Sequence, residues 1–301
     1  MMPSNGKILQ LQNFSVNDGE GLRTTIFFSG CPLRCQWCAN SEGYTSGNKI
    51  LYISSRCVSC GRCKEVCPEG VGIDLNTPDE RKKCTACGKC TAVCLEKARK
   101  NTTTEVTVEE VIKQLESQMQ FFYGSRGGVT YSGGECTMQP VFLNELVNAV
   151  YDLGLNQAIE TSGYFSLAEM EETFAKLDLV FIDIKLMDSA KHRFFTGVDN
   201  DLILNNISRL GEKRKGIVVR VPTIVGVNAD IDNIRATAKF VRNNVQDPCM
   251  ELLPYHHYGE DKFKQLGMDR DFSRFDTPDR DYMNSLVTVI ENEGVRVISY
   301  K

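Results

Sequence analysis

Of the 13 cysteines in this 301-residue chain, three stand close together in Cys31-Pro-Leu-Arg-Cys35-Gln-Trp-Cys38, directly after the apolar run Thr24 to Ser29. Thiolates are ligands for soft metals. Three of them can hold three corners of a cubane [4Fe–4S] cluster and leave the fourth iron without a protein ligand. A cluster that only carries electrons takes four cysteines, so an open corner implies a cluster that binds something. A structural zinc ion would also need a fourth ligand nearby, and Ala39 and Asn40 follow instead.

Eight more cysteines form a repeat. Cys57-x2-Cys60-x2-Cys63-x3-Cys67-Pro68 is followed by Cys84-x2-Cys87-x2-Cys90-x3-Cys94. This is the spacing of bacterial two-cluster ferredoxins, in which the fourth cysteine of each run ligates the other cluster. One cluster is therefore expected on Cys57, Cys60, Cys63 and Cys94, the other on Cys84, Cys87, Cys90 and Cys67. Gly61 and Gly88 suit backbone that wraps closely round a cluster. Leu95 stands where the first run has Pro68. Two zinc sites are the alternative, and the duplicated spacing argues against them. Cys136 and Cys249 remain and read as buried small hydrophobes.

Composition narrows the setting. Hydrophobic content of 42% suffices for a sizeable core. A net charge of −4 and a pI near 5.6 give no reason to expect nucleic acid. No apolar run reaches membrane-spanning length, and Met1 to Asn13 has no signal-peptide core. The expectation is a cytoplasmic protein from an oxygen-avoiding context, with thiols on metal rather than in disulfides.

The elements that must position these groups alternate. Residues 8 to 16 lead into a glycine turn (Asp18-Gly19-Glu20-Gly21) before the strand Thr24 to Ser29. After residue 100, a capped helix is expected from Thr107 to about Phe122. Strands follow at Gly128, Ala158, Leu179, Gly216 and Met250, and a last one at Val295, with helices near 141–153, 167–175, 202–211 and 231–245 between them. Alternation implies an α/β fold with parallel strands, read as a partial (β/α) barrel. Its parts are 1–47, an inserted ferredoxin-like unit at 48–100, and 101–301. Chemistry belongs at the C-terminal ends of such strands. There lie Ser132-Gly133-Gly134-Glu135, Glu160-Thr161, Asp183-Ile-Lys185 and His256, with Arg220 within its strand. Glycines would admit a ligand to the backbone, and Glu135 could bind an ammonium group. The plain alternatives are a loop at Glu135 and structural pairing among Glu160, Asp183 and Lys185.

In this order the motifs resemble the glycyl radical enzyme activating enzymes, members of the radical S-adenosylmethionine (SAM) superfamily, over essentially the whole chain. The insert resembles that of the larger members. The resemblance implies three [4Fe–4S] clusters, with SAM on the open iron held by Cys31, Cys35 and Cys38. It implies reductive cleavage of SAM to a 5′-deoxyadenosyl radical that takes a hydrogen from a glycine of a partner glycyl radical enzyme. By position, Gly133, Gly134 and Glu135 match the segment at the SAM amino group. Lys185 and His256 match positions near its carboxylate, and Arg220 another basic residue of the active site. Glu160, Thr161 and Asp183 match a monovalent-cation site, and Asp18 and Arg23 a contact with the partner's glycine loop, near the surface where a peptide would enter. Flavodoxin or ferredoxin is the implied reductant, and a monomer is expected. Glu20, Ala39-Asn40 and Cys136 depart from the commoner Pro, His-Asn and Pro, and none is a cluster ligand. Two rivals stand beside this reading. One is a radical SAM enzyme acting on a small molecule or peptide, with auxiliary clusters. The other is an electron carrier, which has no use for an open iron.

Overall fold

The computed structural model describes residues 4–300. Its strands are β1 (Asn5–Ser15), β2 (Arg23–Phe28), β3 (Ile50–Tyr52), β4 (Arg99–Asn101), β5 (Thr104–Thr107), β6 (Gly128–Gly133), β7 (Asn156–Thr161), β8 (Leu179–Asp183), β9 (Ile217–Thr223), β10 (Cys249–Pro254) and β11 (Arg296–Val297). Nine of them form one sheet in the order β11-β10-β9-β8-β7-β6-β2-β1-β5. From β2 to β11 every pairing is parallel, while β1 runs antiparallel to both β2 and β5. Among the described residues β5 and β11 are not joined, so the sheet is open and no closed barrel forms.

Side chains alternate across a strand, and here the two faces do different work. Val129, Tyr131, Ile159, Val180, Ile182, Val219 and Val221 face the helices and make the main core. The helix Pro140–Asp152 lays Leu143, Leu146, Val147 and Val150 on them, all fully buried. Each such side chain stabilises the fold by about 1.5–3 kcal/mol relative to exposure. The inner face carries a small apolar patch of Ala158, Phe181, Val218 and Cys249. Above it stand charged residues, Glu160, Arg220 and Glu251. Both leftover cysteines are buried, Cys136 in the main core and Cys249 in the inner patch.

Several expectations need correction. Residues 8 to 16 are not a mere lead-in, because most of that run lies in β1. The helix begun at Thr107 does have its capping box with Glu110, but it stops at Glu116. A second helix, Met119–Ser125, then turns Phe122 into the core. Helices at Ser189–Thr196, Glu260–Gln265 and Arg280–Asn292 escaped the apolar pattern. Two of them carried a local signal, since Asp188 and Asp279 accept the N–H of Lys191 and Tyr282 as N-caps.

Between β2 and β5 the chain leaves the sheet. β3 and β4 pair antiparallel and bring the ends of this excursion together, with Thr102 N donating to Lys49 O at 2.9 Å. Inside it, the short helices Arg62–Glu65 and Lys89–Ala92 each begin at a left-handed glycine, Gly61 (φ 80°) and Gly88 (φ 78°).

Candidate active site

The three-cysteine loop leaves β2 through Gly30, whose φ of 99° favours glycine. It is tied down on several sides. Gly30 N donates to Gly43 O at 2.9 Å, and Arg34 N to Thr196 O at 2.6 Å. Tyr44 donates its hydroxyl to Cys35 O at 2.6 Å. The helix Glu260–Gln265 braces the far side, where Lys262 Nζ donates to Asn40 Oδ1 at 2.9 Å and pairs with Glu42 at 2.6 Å. At its other end Gln265 O accepts from Arg81, within the excursion, at 2.6 Å.

Cys35 is buried, Cys31 and Cys38 half-buried, and none is in a disulfide. Burial pushes all three thiols up, Cys35 to about 12, and neighbouring thiol charge adds to the rise at Cys31 and Cys35. Thiolates in such a place need a bound cation to be stable, as metal ligands do. Among the described residues no three His, Cys, Asp or Glu side chains close on the position of a single ion. Zinc would draw sulfur to about 2.3 Å of one point. Three thiols with no fourth ligand close by in the loop match a cubane with one open iron better than a four-coordinate zinc.

Against this loop lies the Ser132–Glu135 segment. Glu135 N donates to Gly30 O at 2.7 Å, and Gly134 N to Phe28 O at 2.8 Å. A Cβ on Gly134 would lie 2.4 Å from Gly30 O and 2.9 Å from Gly43 O. The glycine thus admits neighbouring backbone as well as any ligand. The Glu135 carboxylate does not act as a free acceptor. It is fully buried and accepts from Thr137 N and Oγ1, Thr161 Oγ1, and Ser162 N and Oγ, at 2.6–3.3 Å. The expected ammonium contact through this side chain is therefore corrected, because its oxygens already hold two loops together.

On the inner face, Arg220 lies between two carboxylates. Its Nε donates to Glu251 at 2.7 Å and its Nη1 pairs with Glu160, while the guanidinium carbon sits 3.5 Å from the Phe181 ring centroid. Burial pushes the Glu160 carboxyl up, against the pull of Arg220. Ser132 Oγ also donates to Glu160. Lys185 is 7% exposed and pairs with Asp183 at 2.6 Å. Burial alone would lower its pKa, but Asp183 and the Cys35 and Cys31 sulfurs outweigh that and raise it. The three expected cation ligands do not converge through their side chains. Glu160 is held by Arg220, Asp183 by Lys185, and Thr161 donates to Glu135. His256 is exposed beside Tyr255 and Tyr258.

Asp18 and Arg23 part company. Asp18 is half-buried, accepts from Thr25 Oγ1 at 2.7 Å, and acts electrostatically on Glu160. Arg23 is fully buried at the start of β2. It donates to Thr130 Oγ1 and Val129 O at 2.7 Å, to Asn156 Oδ1 at 2.8 Å and to Glu20 O at 3.1 Å. The expectation that Arg23 lies at an accessible surface is overturned, since every direction of its guanidinium is occupied by this chain's own backbone and side chains. Thr130 Oγ1 in turn donates to Asp18 O at 2.8 Å, so Arg23 sets the turn that presents Asp18.

Two cavities open in the excursion. One, of about 210 Å³, is lined by Cys57, Cys60, Cys63 and Cys94. The other is lined by Cys67, Cys84, Cys87 and Cys90. Each cavity is thus lined by three cysteines of one run and the fourth cysteine of the other. Backbone N–H groups point at sulfur, Val71 N to Cys67 at 3.4 Å and Ala98 N to Cys94 at 3.2 Å.

Comparison with known proteins agrees with this geometry. The chain matches the Radical SAM superfamily over residues 25–241. It is 40% identical to the choline trimethylamine-lyase activating enzyme of Oleidesulfovibrio alaskensis over 89% of each chain. It is 37% identical to the trans-4-hydroxy-L-proline dehydratase activating enzyme of Clostridioides difficile, over 95% of this chain and 96% of that one. This chain is a glycyl radical enzyme activating enzyme. The indoleacetate decarboxylase activating enzyme of Tractidigestivibacter scatoligenes is a further relative, 34% identical over 97% of this chain and 96% of its own. A radical SAM methyltransferase from Sphaerobacter thermophilus shares the fold, with a TM-score of 0.53 at 12% identity, over 97% of this chain and 76% of that one.

As an activating enzyme of this superfamily, the chain has a [4Fe–4S] cluster and SAM as its cofactors. Sequence reasoning missed several residues that shape the activating enzyme's site. Ser162 and Thr137 hold Glu135, Glu251 holds Arg220, and Tyr44 holds Cys35 O. Ser162 lay within the strand-end motif Glu160-Thr161-Ser162-Gly163 and Thr137 two residues after Glu135, while Tyr44 and Glu251 carried no signal. No helix among the described residues is long and apolar enough to cross a membrane.

Proposed function

We propose that this activating enzyme installs a radical on a glycine of a partner enzyme from an active site at the C-terminal edge of β2, β6, β7 and β8, with residues 48–100 as a two-cluster electron relay and residues 1–47 and 101–301 as the catalytic unit. When bound, the cluster and SAM would supply, with one electron from an external donor, methionine and a 5′-deoxyadenosyl radical able to accept the glycine hydrogen as 5′-deoxyadenosine. Cys31, Cys35 and Cys38 hold the cluster. The backbone at Gly133 and Gly134 borders the space beside it, and Glu135 fixes that backbone rather than meeting the ligand. Lys185 offers positive charge beside Cys35, suited to a carboxylate on the same cluster. His256 stands at the rim. Arg220, bound by two carboxylates, keeps the inner face dry and rigid, and Asp18 offers a carboxylate to the N–H groups of an entering glycine loop. A glycine has no side chain to grip, so its recognition must use backbone groups.

The observation that carries this reading is the 2.7 Å bond from Glu135 N to Gly30 O. It welds the three-cysteine loop to the glycine segment at one strand edge. The eight insert thiols line two cavities, four to each, and two four-cysteine clusters there would leave no open iron, which suits electron transfer from flavodoxin or ferredoxin rather than substrate binding. Mixing iron-loaded protein with SAM, a reductant and a glycyl radical enzyme under anaerobic conditions tests the assignment. A glycyl doublet in electron paramagnetic resonance, with matching 5′-deoxyadenosine, is expected with the right partner. Rapid SAM turnover with no radical on any such enzyme, and a small molecule consumed instead, would favour the rival reading.

A further inference from the structure

The two insert cavities share one residue, Arg99. It is 4% exposed and stands opposite Tyr52 in the β3–β4 pair. Its guanidinium carbon lies 5.5 Å from the Tyr52 ring centroid, and Nη2 donates to Gly72 O at 2.7 Å and to Ile73 O at 2.9 Å. Those two carbonyls lie on the segment between the two cysteine runs. The Nε atom is buried and has no hydrogen-bond partner in the protein. No carboxylate among the described residues forms an ion pair with this guanidinium. A buried permanent cation is costly unless an anion faces it. The cavities that Arg99 lines carry the thiols of Cys57, Cys60, Cys63 and Cys94 on one side and of Cys67, Cys84, Cys87 and Cys90 on the other, and Arg81 adds a like charge nearby.

Arg81 is a second, half-buried cation nearby whose Nε likewise has no hydrogen-bond partner in the protein, but it is placed differently. Its guanidinium donates to Ile50 O, Asn76 Oδ1 and Gln265 O, and it lines neither cavity.

We propose that Arg99 is the shared electrostatic partner of both insert clusters, raising the potential of each. The proposal rests on the two-cluster reading of the insert. An added electron makes a cluster more negative, so a fixed guanidinium beside it stabilises the reduced form more than the oxidised one. One cation placed against both clusters moves both potentials the same way. An electron is then accepted more readily from a donor protein by both, with their difference in potential unchanged.

The test uses the full chain with Cys31, Cys35 and Cys38 replaced by Ala, so that only the insert clusters respond. Redox titration followed by electron paramagnetic resonance compares Arg99 with Arg99→Lys and Arg99→Gln, each with an iron count. In Arg99→Gln the oxidised-to-reduced ratio of both clusters at a fixed potential should rise about tenfold, a downward shift of 59 mV for a one-electron couple. Arg99→Lys should stay within about twofold of the parent. Unmoved potentials in an iron-loaded Arg99→Gln, a shift in one cluster alone, or equal shifts in both variants would each overturn the proposal. Iron lost from Arg99→Gln but kept in Arg99→Lys supports a need for the charge. Iron lost from both overturns it, leaving Arg99 as a scaffold for the 72–73 carbonyls. Fewer than about eight irons in the parent would instead sink the two-cluster reading itself.

Discussion

Gly134 and Gly30 approach so closely that a single methyl group would separate them. A Cβ at residue 134 would meet Gly30 O at 2.4 Å. Backbone cannot yield there without moving the loop that carries Cys31. Gly134→Ala is therefore expected to lose the site cluster while the insert keeps its own, leaving about eight irons per chain in place of about 12. Iron and sulfide analysis after anaerobic reconstitution checks this. A full complement with normal SAM binding would mean the loop adapts.

Glu135 should behave as a structural residue. Glu135→Ala leaves buried donors on Thr137, Thr161 and Ser162 without their acceptor, at about 1–3 kcal/mol each. Melting temperature and SAM affinity should fall together. A loss of SAM affinity at unchanged thermal stability would return the carboxylate to the ligand.

The turn before β2 should separate into two roles. Arg23→Ala leaves a buried cavity with unpaired acceptors and should destabilise the chain by about 3–5 kcal/mol, since a large buried side chain is lost. Asp18→Ala removes one half-buried carboxylate and should leave the melting temperature nearly unchanged, with basal SAM cleavage intact. Its effect should appear in the glycyl radical yield on the partner. Equal radical yield in Asp18→Ala and wild type would remove that residue from partner recognition.

His192 should make stability depend on pH. Its ring is fully buried, Nδ1 donates to Val198 O at 2.7 Å, and Nε2 has no protein partner. Burial lowers its pKa. The unfolded chain, with a histidine near 6.5, then binds the proton more readily than the folded one. Stability from this group is complete above about 6.5 and falls as pH drops toward the lower folded value. Comparing His192→Phe with wild type by denaturant melts at pH 5.5 and 7.5 should show a smaller pH difference in the variant. An identical pH difference would clear His192 of the effect.

What the sequence made legible follows from where the information lies. Cysteine spacing is a local code, so the grouping of the eight insert cysteines around two cavities could be read from residues 57 to 94 alone. Parallel strands buried on both faces, such as β8, announce themselves as apolar runs. Arg23 was misplaced for a physical reason. A glycine turn looks exposed, but the arginine after it begins a strand, and strand alternation turned it inward. Glu135 was misjudged because its donors come from residues 161 and 162, which only the fold brings near. The helices at 189–196 and 260–265 are short and polar, and tertiary contacts rather than periodicity hold them.

The helix Glu260–Gln265 has one last implication, and it concerns maturation. One end grips Asn40 and Glu42 beside Cys38, and the other accepts from Arg81 of the excursion. A ligand that orders one end of a rigid strut lowers the cost of ordering the other. Iron supplied short of the full amount should thus collect as filled chains and empty chains, with few half-filled ones. Native mass spectrometry of a substoichiometric reconstitution would resolve those populations, and shortening Lys262 to Ala should let the half-filled forms accumulate.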